Sequence, residues 1–250
     1  MRIAALPLLA LPVLACAQPD VPFDRAAVTA EHSGLDRGLA DWNSLGLRLE
    51  RHWSRREVAQ LELTRTRRFG LEDTELAIGG SAALAPAVTG SMRLAYSDTH
   101  RVLPRASLAA ALQYEFRPAW LLHGGLRHTR YATTQVDQGS AMLEHYFGNY
   151  SALAAVHAVR AFGQTRPVVE LRAARYYGQG SSVGLIASSG DEAAQVAAGT
   201  VALTRVRSVA IVGRHALGQG PWALRYGLHQ VRQGGAYTRS GASLGVERDF

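Results

Sequence analysis

The fold is decided by a stretch such as residues 106–116, which read ASLAAALQYEF. Every even-numbered residue from Ala106 to Phe116 is apolar, whereas the odd-numbered positions become polar and end with Gln113 and Glu115. A period of two is typical of a β-strand whose two faces meet different surroundings. Strands of soluble proteins usually have about 5 to 6 residues, but a tilted strand that crosses a membrane needs about 9 to 11. Length and alternation together predict a transmembrane β-strand.

The same alternation recurs along the chain. It is present in residues 45–49, 88–96, 169–173, 222–228 and 242–250. Short clusters rich in Gly, Pro, Asn and Ser separate these stretches and favour tight turns. Aromatic residues stand near the ends of the apolar faces, as in the interfacial girdles of membrane barrels. They are Tyr96, Tyr114, Phe116, Trp120, Tyr131, Tyr150, Trp222 and Tyr237.

The number of strands follows from parity. Thirteen strands are clear within residues 41–250, but single-chain bacterial barrels have an even number. Either residues 26–36 form a weak first strand, which gives fourteen, or one strand is false, which gives twelve. We predict an all-β, antiparallel up-and-down barrel of the bacterial outer membrane over residues 26–250, with about 14 strands or alternatively 12. A soluble periplasmic β-sandwich is disfavoured by the strand length and the scarcity of long loops.

The first residues indicate export. Residues 3–14 are an apolar stretch broken by two prolines, and Ala15-Cys16-Ala17 fits the small-x-small pattern of a cleavage site. We therefore predict a signal peptide over residues 1–17 and a short N-terminal segment over 18–25. Val13 to Cys16 also fits a lipoprotein box, in which Cys16 would carry lipid. A chain cut after Ala17 contains no cysteine, which excludes disulfides and thiol chemistry.

Composition narrows the function classes. All 27 basic residues are arginine, and with 20 acidic residues the formal net charge is +7. The mean hydropathy of −0.05 argues against a polytopic helical membrane protein. A basic chain could bind nucleic acid, but there is no lysine tract or recognised motif, and the chain is exported, so we expect no nucleic-acid partner.

Several motifs, taken in order, resemble the YaiO family of outer-membrane β-barrel proteins. They are Arg65-Thr66-Arg67-Arg68-Phe69-Gly70, Gly125-Leu126-Arg127 with Tyr131, Tyr146-Phe147-Gly148-Asn149-Tyr150, Arg175-Tyr176-Tyr177, and Gly190 with its acidic followers. The resemblance covers residues 26–250. It implies an outer-membrane barrel and no catalytic residue, and it hints at a role with envelope polysaccharide.

Two groups of charged residues are candidate sites. Arg65, Arg67 and Arg68 belong to the densest arginine cluster and are candidate contacts for lipopolysaccharide phosphates, because guanidinium groups suit phosphate oxygens. The alternative is a solvated turn. A second group faces the lumen by parity and is expected to form Arg–Glu pairs that fill the interior. Its members are Arg93, Arg127, Arg172, Arg225, Glu115, Glu144, Glu170 and Glu247.

The last residue, Phe250, closes an alternating strand and resembles the assembly signal that the barrel-assembly machinery reads. Arg248 departs from that signal, because an apolar residue is usual there. Phe250 is therefore the predicted assembly signal of the chain.

Few residues suggest catalysis. Residues 180–184 match G-x-S-x-G, but a strand rather than a helix is predicted to follow. His145, Asn149 and Ser151 lie close in sequence around a turn, yet a turn alone explains them. We expect no catalytic, metal or cofactor site. The predicted function is a non-enzymatic outer-membrane barrel in envelope structure or in passage or anchoring of a polysaccharide, with outer-membrane lipids and lipopolysaccharide as partners. The alternative is a barrel enzyme acting on lipid or sugar.

Overall fold

The structure, a computed structural model, describes residues 21–178, 180–197 and 199–250. These residues form fourteen strands that close into one barrel. The strands are β1 Phe23–Leu35, β2 Trp42–His52, β3 Val58–Arg68, β4 Leu71–Ala85, β5 Val88–Ser97, β6 Ala106–Arg117, β7 Trp120–Arg130, β8 Gln135–Phe147, β9 Tyr150–Ala161, β10 Gln164–Tyr177, β11 Ser181–Ala197, β12 Thr200–Ala216, β13 Trp222–Gln233 and β14 Tyr237–Asp249. Within the described residues, no helix is long and apolar enough to cross a membrane.

Each strand pairs antiparallel with its neighbours in sequence, and β1 pairs with β14 to close the ring. The prediction of fourteen strands is thus confirmed and the alternative of twelve is wrong. The weak first strand predicted over residues 26–36 is β1, which begins at Phe23 and ends at Leu35. The predicted signal peptide and Cys16 lie outside the described residues.

Alternation of side chains across the wall explains the composition of the strands. Leu47, Leu126 and Leu244 point outward and expose 43%, 73% and 58% of their surface. Inward positions carry polar groups, among them Ser33 and Glu247, which are both fully buried. This is the pattern of a barrel whose outer face meets lipid and whose interior is polar.

The barrel has two different rims. Phe23 and Phe250 lie at one end, here called the terminal rim, and the opposite end is the distal rim. The longest connection, residues 98–105 between β5 and β6, lies at the distal rim. Several connections are two-residue hairpin turns, such as Phe69-Gly70, in which both residues have positive φ (51° and 75°). A turn with two positive φ angles matches the twist of antiparallel strands.

Candidate functional site

The distal ends of β11 and β12 leave the barrel wall. The last residues that join β10 to β11 are Val168 and Gly190, and the first that join β12 to β13 are Val206 and Gln233. Beyond these points, residues 191–197 and 200–205 have only each other as strand partners, apart from one hydrogen bond that the Gly234 N–H donates to the Arg205 carbonyl oxygen at 2.7 Å. We call this two-stranded segment the ribbon. Both parent strands have 17 residues, which is more than the bilayer requires.

The ribbon lies across the distal mouth of the barrel. Ala193 packs with Val136, Val159 and Val168 in a buried apolar cluster on the inner face of β8, β9 and β10. Further along, the side-chain amide of Gln195 donates a hydrogen bond to the carbonyl oxygen of Arg101, at 3.2 Å, in the loop between β5 and β6. One residue of β11 therefore reaches a loop on the far side of the ring.

A second contact ties the ribbon to β14. The Tyr237 hydroxyl donates to the Gln195 carbonyl oxygen at 3.0 Å, and Tyr237 is almost completely buried. Tyr131 packs against the apolar cluster below the ribbon, and burial raises the pKa of its phenol. The assignment of Tyr131 and Tyr237 to the outer aromatic girdle is therefore wrong. Both rings face the interior because they lie on the inward parity of their strands or in the adjoining loop.

Aromatic and cationic side chains fill the mouth beside the ribbon. The Trp42 indole contacts Phe69 and Tyr237, with ring centroids 5.2 and 5.6 Å apart. The guanidinium groups of Arg68 and Arg239 lie over the same indole at 4.6 and 4.9 Å. Cations at this distance from a ring are attracted to its π face. The sequence analysis did not identify this cluster. Its aromatic members do lie at strand ends, because Trp42 and Tyr237 begin β2 and β14 and Phe69 follows β3.

The loop at residues 98–105 is fixed by one carboxylate. Asp73, on the inner face of β4, accepts hydrogen bonds from the backbone N–H groups of Val102 and Leu103 at 2.6 and 2.9 Å. It also accepts one from the Thr99 hydroxyl and lies 3.5 Å from the Arg101 guanidinium. The loop that receives the ribbon is thus anchored to the wall, not free in solvent.

An ion-pair network crosses the seam between β14 and β1. The Arg25 guanidinium lies 2.6 Å from Asp249 and 3.6 Å from Glu247. Glu247 also pairs with Arg225 at 3.2 Å and with Arg214. A fully buried carboxylate between three guanidiniums is compensated by several charge-assisted hydrogen bonds.

The network continues along the inner wall on the other side of the seam. Glu50 lies 3.9 Å from both Arg25 and Arg48, and Arg48 lies 3.4 Å from Glu62. Arg93 then contacts Glu62 at 3.5 Å. Arg93 also contacts Glu75 at 3.4 Å. Ion pairs therefore run without a break from β13 through β14 and β1 to β5.

The predicted lumen residues divide into paired and unpaired groups. Arg172 pairs with Glu170 at 2.5 Å. Glu144, which is buried, contacts His123 at 3.1 Å instead of an arginine. Arg93, Arg225 and Glu247 belong to the seam network described above.

Arg127 and Glu115 do not form the predicted pairs. No carboxylate of the described residues lies within 4.0 Å of the Arg127 guanidinium, whose electrostatic neighbours are Arg93, Tyr131 and Glu75. Glu115 is exposed near the terminal rim, and its carboxylate accepts the backbone N–H of Ala119 at 3.3 Å. The alternation along the strands predicts that both side chains point inward. The position of each residue along its strand, however, decides which partners are within reach.

The three candidate phosphate contacts lie on two faces of β3. Arg65 and Arg67 point outward with 66% and 61% of their side chains exposed, and both pair with Glu72 of β4. Arg68 is 5% exposed and points inward over Trp42. The strand ends at Arg68, where neighbouring residues still alternate between faces. Arg68 therefore cannot share an outer phosphate site with the other two.

Phe250 completes the seam at the terminal rim. Its backbone N–H donates to the Asp24 carbonyl at 2.8 Å, and its carbonyl accepts from the Asp24 N–H at 3.4 Å. The ring is 66% exposed, and the Arg248 guanidinium lies 4.6 Å from the ring centroid.

The catalytic constellations considered in the sequence are not assembled. Ser182, the serine of the G-x-S-x-G stretch, lies within β11, where it is paired with Tyr176 of β10 and Arg214 of β12, and not on a turn between a strand and a helix. His145 stacks outside the barrel on Trp120, with ring centroids 4.0 Å apart. Ser151 is buried on the inner face and contacts the Tyr176 hydroxyl at 3.2 Å. His145 and Ser151 therefore lie on opposite sides of the wall.

Solved barrels of bacterial outer membranes are similar in fold. A bacterial polysaccharide outer membrane secretin aligns with a TM-score of 0.58 and 9% identity, over 91% of this chain and 98% of that one. The KdgM porin aligns at 0.51 and 8%, over 90% and 99%. Salmonella typhi OmpF, in complex with daunomycin, aligns at 0.50 and 7%, over 92% and 98%. At these identities the likeness concerns the fold alone.

Sequence comparison identifies the family. No curated protein matches the chain. A family model described as the YaiO membrane beta barrel domain matches residues 24–195, more than half of the chain. The matched range begins at the closing seam, crosses the arginine pair of β3 and ends within the ribbon. The protein therefore belongs to the YaiO family of outer-membrane β-barrels.

Proposed function

We propose that the protein is a non-enzymatic, low-conductance barrel that serves in the structure of the outer membrane. The observation that carries this proposal is the position of Gln195, which is hydrogen bonded to Arg101 across the mouth and to Tyr237 of β14. A ribbon held at both sides of the ring obstructs the distal opening.

The width of the barrel makes this obstruction meaningful. Barrels of about 16 to 18 strands leave an aqueous channel, whereas those of eight are filled by side chains. Fourteen strands lie nearer the first group, so an open lumen would conduct ions. The ribbon and the side chains of the seam network occupy the lumen. Of the three roles inferred from the sequence, envelope structure and anchoring are therefore favoured over passage of a polymer.

The partners follow from the surfaces. The outward apolar face is matched to membrane lipid, and the proposed assembly signal, Phe250, closes the seam that the barrel-assembly machinery must complete. An envelope polysaccharide would meet the distal rim, where the ribbon and the loop at residues 98–105 are presented. A catalytic role has no supporting cluster among the described residues.

The test is the conductance of the purified full chain in planar bilayers. A ribbon-less variant, in which residues 192–204 are replaced by Asn-Gly, removes the obstruction and keeps the register of the paired wall, because Asp191 and Arg205 already lie opposite each other. Phe162-Gly163, the neighbouring hairpin tip between β9 and β10, changed to Asn-Gly is the matched control. Heat-modifiable gel mobility verifies that each barrel is folded.

We expect the wild type and the control to conduct weakly and the ribbon-less barrel to conduct severalfold more. A large, steady conductance of the wild type would overturn the proposal. Equal conductance of the wild type and the folded ribbon-less variant would overturn it as well, because the ribbon would then not be the obstruction.

A further inference from the structure

A groove crosses the outer wall near the distal rim. It has a volume of about 810 Å³ and runs over β13, β14, β1, β2 and β3 to Glu72 of β4. Binding pockets for small ligands usually have volumes of about 300–1,000 Å³. We propose that this groove binds a phosphorylated lipid of the outer leaflet, with an acyl chain in the groove and a phosphate at Arg65 and Arg67.

Small side chains form the floor, and larger apolar ones form the walls. Ala30 and Ala242 lie on the outward faces of β1 and β14, and Leu228 and Leu244 stand beside them. Tyr226 lines the groove from β13, and its ring lies over Gly213 of β12, where an added Cβ would collide with it. The ring therefore leans away from β14, which leaves the floor uncovered.

The β3 side of the groove is charged. Arg65 donates from Nε to Glu72 at 2.6 Å, and Arg67 donates from a terminal nitrogen to the same carboxylate at 3.3 Å. A guanidinium has five N–H donors, so each arginine keeps donors for another acceptor. Two positive groups against one carboxylate also leave a formal charge of +1. Glu72 thus holds both guanidiniums in place without satisfying them.

Neighbouring polar side chains extend the polar surface next to the arginines. The His32 ring nitrogen Nδ1 lies 2.9 Å from the Asn43 side-chain oxygen, and both residues line the groove beside Arg67, because His32, Asn43 and Arg67 are register partners on β1, β2 and β3. Charge on the β3 side of the groove and apolar surface on its β13 and β14 side match a molecule with an anionic head and a hydrocarbon tail. A free phosphate ion would use only the arginines.

The position of the two arginines along the membrane normal decides whether a lipid head group lies next to them. Barrels of this kind carry their longer loops on the outside of the cell, and the longest connection here, residues 98–105, lies at the distal rim. Arginine on the lipid face is costly at the bilayer midplane but nearly free at the interface. Arg65 and Arg67 would therefore lie among the phosphates of the outer leaflet.

The experiment measures retention of lipid A by the refolded full chain in detergent micelles, by native mass spectrometry. The probe is bis-phosphorylated lipid A, compared with its dephosphorylated form and with inorganic phosphate as competitor. Two variants address the two halves of the site: the double substitution R65Q/R67Q removes the charge, and Ala30→Leu fills the floor. Controls on the opposite wall are Arg160→Gln and Ala154→Leu, both at exposed outward positions of β9.

We expect R65Q/R67Q to weaken retention about tenfold, since charge-assisted hydrogen bonds to phosphate are lost. Ala30→Leu should weaken both forms of lipid A, whereas the two controls should bind like the wild type. Glu72→Gln should strengthen retention, because it leaves both guanidiniums unopposed. Millimolar phosphate should not displace the lipid.

Equal retention by all variants, or equal losses in the β9 controls, would overturn the site. Displacement by inorganic phosphate with no effect of Ala30→Leu would show an anion site instead of a lipid groove. Conductance does not enter this experiment, so a failure of the low-conductance proposal would leave its outcome unaffected.

The orientation is checked separately on cells. A cysteine probe at the turn residue Gly70 would be strained, because the φ angle of Gly70 is +75°. The probe is therefore Asp98→Cys, which lies in an exposed loop at the same rim. It is made in a chain that also carries Cys16→Ser. A membrane-impermeant maleimide should label it on intact cells, and Asn149→Cys at the terminal rim only after permeabilisation. The reverse pattern would place the arginines at the inner leaflet and overturn the lipid site.

Discussion

Val168 and Gly190 are the last paired residues of β10 and β11, and the two backbones approach so closely there that only glycine fits on β11. A Cβ added to Gly190 would lie within the van der Waals shell of the Val168 Cα and the Pro167 carbonyl oxygen. This contact marks the point at which the ribbon departs from the wall. Glycine in a strand commonly marks such a close approach of two backbones.

Replacement of Gly190 should therefore displace the ribbon. We expect Gly190→Val to raise the bilayer conductance of the folded barrel severalfold, because β11 must move away from Val168. Gly124→Val is the control, since a Cβ at Gly124 would meet no atom within 4 Å. Unchanged conductance of a folded Gly190→Val barrel would argue that the close contact does not direct the ribbon.

Because Glu247 lies at the centre of the seam network, we expect its substitution to affect stability more than that of any other charged residue in the lumen. Glu247→Gln should lower the free energy of unfolding by roughly 3 kcal/mol, because removal of one partner leaves buried charges uncompensated. Urea titration followed by gel mobility measures the midpoint. Glu72→Gln, on the exposed outer face, should leave the midpoint nearly unchanged. Similar midpoints for both variants would contradict the importance of the seam network.

Arg127 and Arg93 should respond differently to truncation. Arg93 lies 3.5 and 3.4 Å from Glu62 and Glu75, so Arg93→Ala should cost roughly 2–3 kcal/mol after allowance for partial exposure. Arg127 has no carboxylate within 4.0 Å among the described residues, so Arg127→Ala should cost less than about 1 kcal/mol. The unfolding midpoints of the two variants decide the matter, and a larger loss at Arg127 would reveal a partner that this geometry lacks.

Deletion of Phe250 should prevent assembly. The residue exchanges two backbone hydrogen bonds with Asp24 at the seam, and an unpaired strand edge in lipid is costly. Phe250→Tyr keeps the backbone and an aromatic ring and should assemble normally. Outer-membrane fractionation measures both, and normal amounts of heat-modifiable protein from the truncated chain would refute the role of Phe250.

The sequence was informative about the wall because lipid imposes a strict rule on it. Every strand must present apolar residues at alternate positions, so fourteen strands and the inward parity of Arg93 or Glu247 could be predicted. The partners of these charges could not, because they depend on the lateral register of strands distant in sequence. Glu247 meets Arg25 only after β14 and β1 close the ring.

The ribbon could not be predicted from the sequence for another reason. Residues 191–205 alternate weakly and are as apolar as a wall strand, so nothing in their composition separates them from the barrel. The available signal was length, since β11 and β12 each have 17 residues where about 9 to 11 suffice. Gly190 was noticed within a family motif, but its close contact with Val168 requires three dimensions.

The covered mouth can be checked by the distance between the ribbon and the loop that receives it. Spin labels are attached to Ala197→Cys on the ribbon and Asp98→Cys on the opposite loop, in a Cys16→Ser chain refolded in lipid nanodiscs, and double electron–electron resonance gives the distance distribution. We predict one narrow, short distance, as the hydrogen bond between Gln195 and Arg101 requires. A broad distribution, or a distance as long as that between labels on opposite walls, would mean that the ribbon stands clear of the lumen.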